Sequence, residues 1–252
     1  MSKISEKKVA LVTGSSRGIG LSIAKELDKS GIKVLINSRK KIKKSIFRNF
    51  INKPDHYMFD VTSLKQTEKC FKKIKKKYKK LDYLICNAGY SSSPKKKEFD
   101  IIEWKNIFER NFFSTLNSIF VYRKLFNDNK KKKIICISSV SGSYVSAAPS
   151  TYAIAKSTLN NFVKHVSKSL TKENIILNCV SPGNIFFKGG VWDKNLLRNK
   201  KYYLNYIKKE VPENRLGNPN EIANLISYLC SEKSTFINGS VINIDGGQDK
   251  SL

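Results

Sequence analysis

Histidine is almost missing from this sequence. The two present, His56 and His165, lie far apart, and the five cysteines (Cys70, Cys86, Cys136, Cys179, Cys230) form no C-x-x-C pair. A His/Cys metal site therefore has no framework here. An odd, dispersed set of cysteines, three of them in apolar strand-like runs, reads as reduced core thiol rather than a disulfide scaffold. Long apolar runs are lacking too: nothing approaches the ~20 residues that a membrane-spanning helix needs. The polar start, Met1 to Lys8, leads into Val9-Ala10-Leu11-Val12, which ends at once in Thr13-Gly14, too short for a signal peptide. The expectation is a cytoplasmic protein with no membrane partner.

Carboxylates are the other shortage. Against 48 Lys and Arg stand only 20 Asp and Glu, a formal charge of +28. Lysine supplies nearly all of the excess, and Asn and Ile are abundant as well, so the charge reads as AT-rich codon usage. The densest run, Lys72 to Lys80, keeps Phe71, Ile74, Tyr78 and Leu81 on one helical stripe and so turns its lysines to solvent. Aromatic stacking platforms and Arg base readers are lacking, which speaks against a specific nucleic-acid partner. A non-enzymatic protein whose basic face is its working surface stays open as a remote reading.

What is present is alternation. Strand-like runs at Val9–Thr13, Lys33–Asn37, His56–Phe59, Tyr83–Cys86, Lys133–Ser138, Ile175–Val180 and Ser240–Ile244 are separated by amphipathic stretches. These stretches are Ile19–Lys29, Leu64–Lys80, Trp104–Phe126, Ser150–Leu170 and Asn220–Leu229, the first closed by Gly31. The pattern predicts an α/β fold, one doubly wound domain over residues 1–252 with a parallel sheet of about seven strands. Its ligand crevice is expected at the carboxyl ends of the strands.

Two local patterns carry chemistry. The first strand runs into Thr13-Gly14-Ser15-Ser16-Arg17-Gly18-Ile19-Gly20 and then a helix. Glycines there let the backbone approach a pyrophosphate, whose charge the helix N-terminus favours. Second, Tyr152 and Lys156 lie four residues apart, on one face of a helix. An ammonium beside a phenol favours the phenolate, so the tyrosine's pKa is expected to fall from about 10.

With these two patterns in hand the chain resembles a short-chain dehydrogenase/reductase over almost its whole length. The resemblance rests also, in chain order, on Asp60-Val61 and Asn87-Ala88-Gly89 after the third and fourth strands, Asn111 inside a long helix, Ser139 and Pro182-Gly183 after the fifth and sixth strands, and Asp245-Gly246-Gly247 near the C-terminus. It implies a Rossmann fold and hydride transfer between a nicotinamide and a carbonyl or secondary alcohol. Tyr152 would be the proton donor, Lys156 would lower its pKa and bind the nicotinamide ribose, Ser139 would hold the substrate oxygen, and Asn111 would hold a water leading to Lys156. The cofactor would lie along Gly14, Ser16, Arg17, Gly18, Ile19, Gly20, Ser38, Arg39, Asp60, Val61, Asn87, Ala88, Gly89, Pro182, Gly183 and Ile185. NAD-selective relatives place an Asp at the end of the second strand. Asn37-Ser38-Arg39-Lys40 has none, and Arg39, Lys40 and Arg17 offer cations to a 2′-phosphate, so NADP(H) is expected over NAD(H).

The 3-oxoacyl-[acyl-carrier-protein] reductases are nearest in appearance, through Arg215 to Ala223 and the Asp-Gly-Gly strand, and a basic surface suits an acidic carrier. Two departures stand out. Phe187 replaces the usual Thr near the carboxamide, leaving the backbone of Ile185 to bind it. Glu173-Asn174 replaces a usual basic residue before Gly, a charge expected to repel a carrier. Residues 186–209 are expected to form the substrate lid. Its aromatics could pack on an acyl chain, stack on a sugar ring, or seal the lid and an oligomer contact. The Gly189-Gly190-Val191-Trp192 stretch resembles relatives that act on other alcohols and modified sugars, including precursors of bacterial surface polysaccharides. Family members are commonly tetramers, so a homotetramer or homodimer built on Trp104–Phe126 and Ser150–Leu170 is expected.

Overall fold

The computed structural model describes residues 7–90 and 99–250, so most of the polar start lies outside the described residues. Strands form where apolar, often β-branched runs can be covered on both faces. β1 (Val9–Val12), β4 (Tyr83–Cys86), β5 (Lys132–Ile137) and β6 (Ile175–Pro182) are buried at every position. That is why they read as continuous apolar runs rather than alternating ones. With β2 (Lys33–Ser38), β3 (Asp55–Met58) and β7 (Val241–Ile244) they make a seven-stranded sheet in the order β3-β2-β1-β4-β5-β6-β7. Every neighbouring pair is parallel. The fold is the doubly wound α/β domain expected from the alternation. The strand order reverses between β1 and β4, and the crevice opens at that switch point.

Helices cover both faces. On one, α1 (Gly18–Lys29) packs against α8 (Pro219–Cys230), burying Ile23 and Leu27 beside Ile222 and Ile226. On the other, α2 (Leu64–Tyr78), α4 (Ser114–Phe126) and α5 (Ser150–Thr171) bury Phe71, Ile74, Tyr122, Phe126, Leu159 and Val163. The lysines of α2 lie outward, as its stripe predicts. Gly31 takes a left-handed φ of 79° just past the end of α1, the conformation that a glycine stop supplies. All five cysteines are buried and free, and Cys86, Cys136 and Cys179 sit side by side in register across β4, β5 and β6. No helix among the described residues is long and apolar enough to cross a membrane.

One expected element is broken. The stretch read as a single helix, Trp104–Phe126, is α3 (Ile101–Phe108), a π-helical turn at Glu109–Phe113, and then α4. Asn111 sits within the π turn, and its side-chain Nδ2 donates to the Ile107 carbonyl four residues back at 3.0 Å. A side chain competing for the i−4 acceptor widens the helix there. The expected lid contains two helices, α6 (Val191–Arg198) and α7 (Lys200–Glu210).

Candidate active site

Lys156 is 4 % exposed, one turn along α5 from Tyr152. Its Nζ donates to the Ile137 carbonyl at the end of β5 at 2.8 Å and lies 5.8 Å from the Tyr152 ring centroid. Burial pushes its pKa down to about 8, with the Cys179 and Cys136 thiols pulling weakly the other way. An amine held there exchanges its proton near neutrality.

Tyr152 departs from the expectation. Its pKa is raised, not lowered: burial dominates, and a hydrogen bond with Ser139 opposes it. The side chain keeps some exposure along the cleft, but its phenol end is crowded enough for burial to decide the direction. The ammonium makes its hydrogen bond to the Ile137 carbonyl and stands over the ring, so it does not offset that burial. Tyr152 is thus held as a neutral phenol.

Ser139 caps a short 3-10 turn, Val140–Gly142, its Oγ accepting from the Ser141 N–H at 3.2 Å. The turn lies against α5 because Gly142 has no side chain: a Cβ there would stand 2.7 Å from the Lys156 carbonyl carbon. Asn111 reaches the same place from the π turn. Its Nδ2 donates to Tyr90 O and its Oδ1 accepts from Tyr90 N, both at 3.0 Å. A Cβ on Gly89 would meet Asn111 Oδ1 at 3.0 Å and Lys156 Nζ at 3.5 Å, so these two groups converge beneath Gly89. Both Nδ2 protons are spent on carbonyls, leaving a lone pair of Oδ1 as the place for the expected water.

From this cluster a cleft of about 460 Å³ runs to the glycine turn, within the size range of small-ligand sites. Tyr152, Lys156, Asn111, Gly89, Ala88, Asn87, Val61, Asp60, Arg39, Ser38, Gly20, Ile19, Arg17, Ser16 and Gly14 all line it. Ser139, Pro182, Gly183 and Ile185 do not, and Ser139 joins the site through its hydrogen bond with Tyr152. Ile185 turns into the α1–α8 core beside Gly217, and the wall at this point is formed by Phe187, Gly189 and Gly190. Gly18 is also missing from the wall, since the Phe187 ring lies over it: a Cβ on Gly18 would come within 2.7 Å of that ring.

The donor set fits a dinucleotide. α1 starts at Gly18 with no side-chain cap and no acid in its first turn, whereas α2, α3, α7 and α8 are each capped by Ser63, Asp100, Asn199 or Asn218. Its orphan N–H groups suit an anion rather than a protein acceptor. At the end of β2, Arg39 is exposed, lines the cleft and makes no hydrogen bond or ion pair among the described residues.

Thr13, Asn37, Tyr90 and Arg110 were not singled out as site residues from the sequence, whereas Asn87 was. Asn37 Oδ1 accepts from Gly14 N at 3.0 Å while its Nδ2 donates to Phe59 O at 3.0 Å and Tyr57 O at 3.3 Å. Asn87 Nδ2 donates to Thr13 O at 2.9 Å and Gly14 O at 3.1 Å, and Thr13 Oγ1 accepts from the N–H groups of Asn87 and Ala88. The turns after β1, β2, β3 and β4 are therefore laced together. Arg110 stands 5.0 Å from the Tyr90 ring centroid, and both line the cleft. The signal for Asn37 was visible, an amide where relatives carry an acid. Nothing in the sequence marked Arg110 or Tyr90.

The profile of a family described as enoyl-(acyl carrier protein) reductase matches residues 14–249. A 3-oxoacyl-[acyl-carrier-protein] reductase of Aquifex aeolicus is 30% identical over 249 residues, 95% of this chain and 96% of that one. Its counterpart from Buchnera aphidicola is 34% identical over 255 residues, 96% of this chain and 97% of that one. Among solved structures, L-sorbose reductase of Gluconobacter frateurii complexed with NADPH and L-sorbose superposes with a TM-score of 0.89 at 26% identity, covering 98% of each chain.

Proposed function

The chain belongs to the short-chain dehydrogenase/reductase family, and we propose on that premise that it reduces 3-oxoacyl thioesters borne by an acidic carrier protein, with NADPH as hydride source. It is an oxidoreductase of the nicotinamide-dependent class, most like the 3-oxoacyl-[acyl-carrier-protein] reductases. The observation that carries the reading is the convergence of Lys156, Asn111 and Tyr152, the last hydrogen-bonded to Ser139, at one end of a cleft whose other end is the uncapped start of α1. When bound, the reduced nicotinamide supplies the hydride. Ser139 and Tyr152 together hold the carbonyl oxygen. Tyr152, neutral because burial raises its pKa, gives its proton to that oxygen as negative charge grows on it. Lys156, with a pKa of about 8, is matched to return a proton to the phenolate, and Asn111 holds the water that reloads the lysine.

NADPH over NADH rests on Arg39, a cation at the end of β2 with no hydrogen bond or ion pair among the described residues, where Asn37 is spent on the neighbouring turns. Glu173 does not stand against a carrier: Arg123 grips it through Nε at 2.9 Å and through a second bond from Nη2, so its charge is covered. Residues 186–209 act as the lid. Its aromatics, Trp192 with Tyr203 and Tyr206 at 5.9 and 5.6 Å between centroids, brace α6 against α7. Exposed Phe113, Phe120 and Ile154 mark α4, α5 and the adjoining π turn as the surface for a homotetramer or homodimer.

A second reading, reduction of a ketose, is favoured by the likeness to L-sorbose reductase. Following NADPH oxidation with acetoacetyl thioesters and with a panel of ketoses separates the two. Turnover of thioesters well above that of ketoses is expected, and the reverse ranking would transfer the assignment to a sugar.

A further inference from the structure

The corner after β2 is built in an unusual way for a site that must grip a phosphate. Ser38 is 8 % exposed, and its hydroxyl touches two partners, the Lys40 carbonyl at 2.5 Å and His56 Nε2 at 2.7 Å. A serine hydroxyl has one proton, and a carbonyl can only accept. The proton therefore points to Lys40, and His56 presents Nε2–H to the serine oxygen. The strand register permits this. Ile36 faces His56 and Ser38 faces Met58 across β2 and β3, so His56 and Ser38 share a face and meet diagonally. On that face Ile42, Phe47 and Phe50 also pack onto the core, pinning the chain that follows. Between these anchors Arg39, Lys40 and Lys41 are exposed, but only Arg39 lines the cleft, and it makes no hydrogen bond or ion pair among the described residues.

We propose that His56 is a positioning residue for recognition of the cofactor's 2′-phosphate: through Ser38 it locks the Ser38–Lys40 corner and so aims Arg39 into the cleft. The proposal rests on the NADPH reading above. It also removes one contact which the sequence suggested, because the Ser38 hydroxyl has no proton left to give a phosphate. Discrimination then falls to Arg39, and the histidine, which touches no cofactor, decides how well that guanidinium is placed.

Equilibrium binding of NADPH and of NADH to the purified chain, read by cofactor fluorescence with a thermal melt for each variant, tests this apart from turnover. Arg39→Leu is expected to weaken NADPH about 10- to 100-fold and leave NADH unchanged, the size of one charge-assisted phosphate contact. His56→Phe removes the N–H donor and is expected to weaken NADPH about two- to tenfold, again sparing NADH. His56→Gln restores a donor and is expected to recover most of the loss, and it carries the test if the Phe variant melts. Equal weakening of both cofactors in the His56 variants would reduce the histidine to a structural part. Selectivity lost in Arg39→Leu but untouched in both His56 variants would overturn only the role of His56. Unchanged selectivity in Arg39→Leu would overturn the NADPH reading and this proposal together.

Discussion

The two walls of the cleft beside the glycine turn are held by different means. At the glycine turn, Asn37, Asn87 and Thr13 tie four strand-end loops to one another with buried and part-buried hydrogen bonds. On the facing wall, residues 187–190 meet the same turn through one aromatic ring and one hydrogen bond from Arg17 Nη1 to the Gly189 carbonyl at 2.8 Å. α6 and α7 beyond it bury only Ile207. A groove that must present the same cofactor in every turnover gains from being over-determined. A segment that must admit and release substrate has to come from the low-stability part of the fold. The contrast explains why the reaction is easier to read than the substrate.

The largest effect expected in the rigid half is chemical. On the proposed mechanism Tyr152→Phe removes the proton that is transferred to the substrate oxygen and should lower kcat about 10²- to 10⁴-fold, while stability shifts by no more than about 1 kcal/mol for the lost Ser139 bond. Steady-state kinetics beside a denaturant titration checks it, and a variant with wild-type kcat would remove Tyr152 from the mechanism. Next comes Asn37→Asp, the substitution that would imitate an NAD-type strand end. Asn37 is 3 % exposed, and a carboxylate there faces the Phe59 and Tyr57 carbonyls with no proton to offer. A loss of about 2–4 kcal/mol is expected. Unchanged unfolding would mean that the lacing at this end does little.

Lys156 gives a pH signature of similar size. Its shift from 10.5 to about 8 means that holding it charged in the fold costs about 3 kcal/mol below pH 8. The cost is relieved as the pH climbs from about 8 toward 10.5, because the folded chain then releases a proton that the unfolded chain still binds. Relative to Lys156→Met, the wild type should therefore gain stability across that window in unfolding titrations run at several pH values. Parallel stability curves for the two proteins would show that the lysine is not desolvated.

Periodicity carried the fold because both faces of the sheet are covered: strands that are buried throughout announce themselves, and each of the seven expected runs is a strand within one or two residues of its predicted bounds. The break at Asn111 was illegible, since a side chain taking its own helix's carbonyl leaves the apolar spacing of α3 and α4 intact. The sign of the Tyr152 shift was misjudged for a related reason. Sequence spacing shows that a charge is near but not how deeply both groups are buried, nor that Lys156 bonds the Ile137 carbonyl. Lysine itself hid information. Among 48 basic residues, Lys132, Lys133 and Lys156 are almost wholly buried, and composition cannot tell them from the solvated lysines of α2. His56, by contrast, was conspicuous as one of two histidines but had no visible partner until the register of β2 and β3 placed it beside Ser38.

The smallest expected effect bears on the loose half and sharpens the contrast most. The Phe187 ring occupies a slot made by two glycines: a Cβ on Gly18 would come within 2.7 Å of the ring and one on Gly190 within 3.0 Å, with Arg17 5.9 Å from its centroid. Phe187→Ala empties that slot. Losing part of an aromatic side chain's burial at a half-exposed site is worth about 1 kcal/mol, which corresponds to about a fivefold rise in the open population. On the lid reading this segment opens without global unfolding, so the loss should not appear in the global unfolding midpoint. It should appear as faster proteolysis within 186–210 and a higher KM for the carbonyl substrate, with NADPH binding held by the laced turns. A variant whose proteolysis stays at the wild-type rate would show that the ring is not what docks the lid. A fall in global stability matching that of Asn37→Asp would show that the two walls of the cleft unfold as one unit.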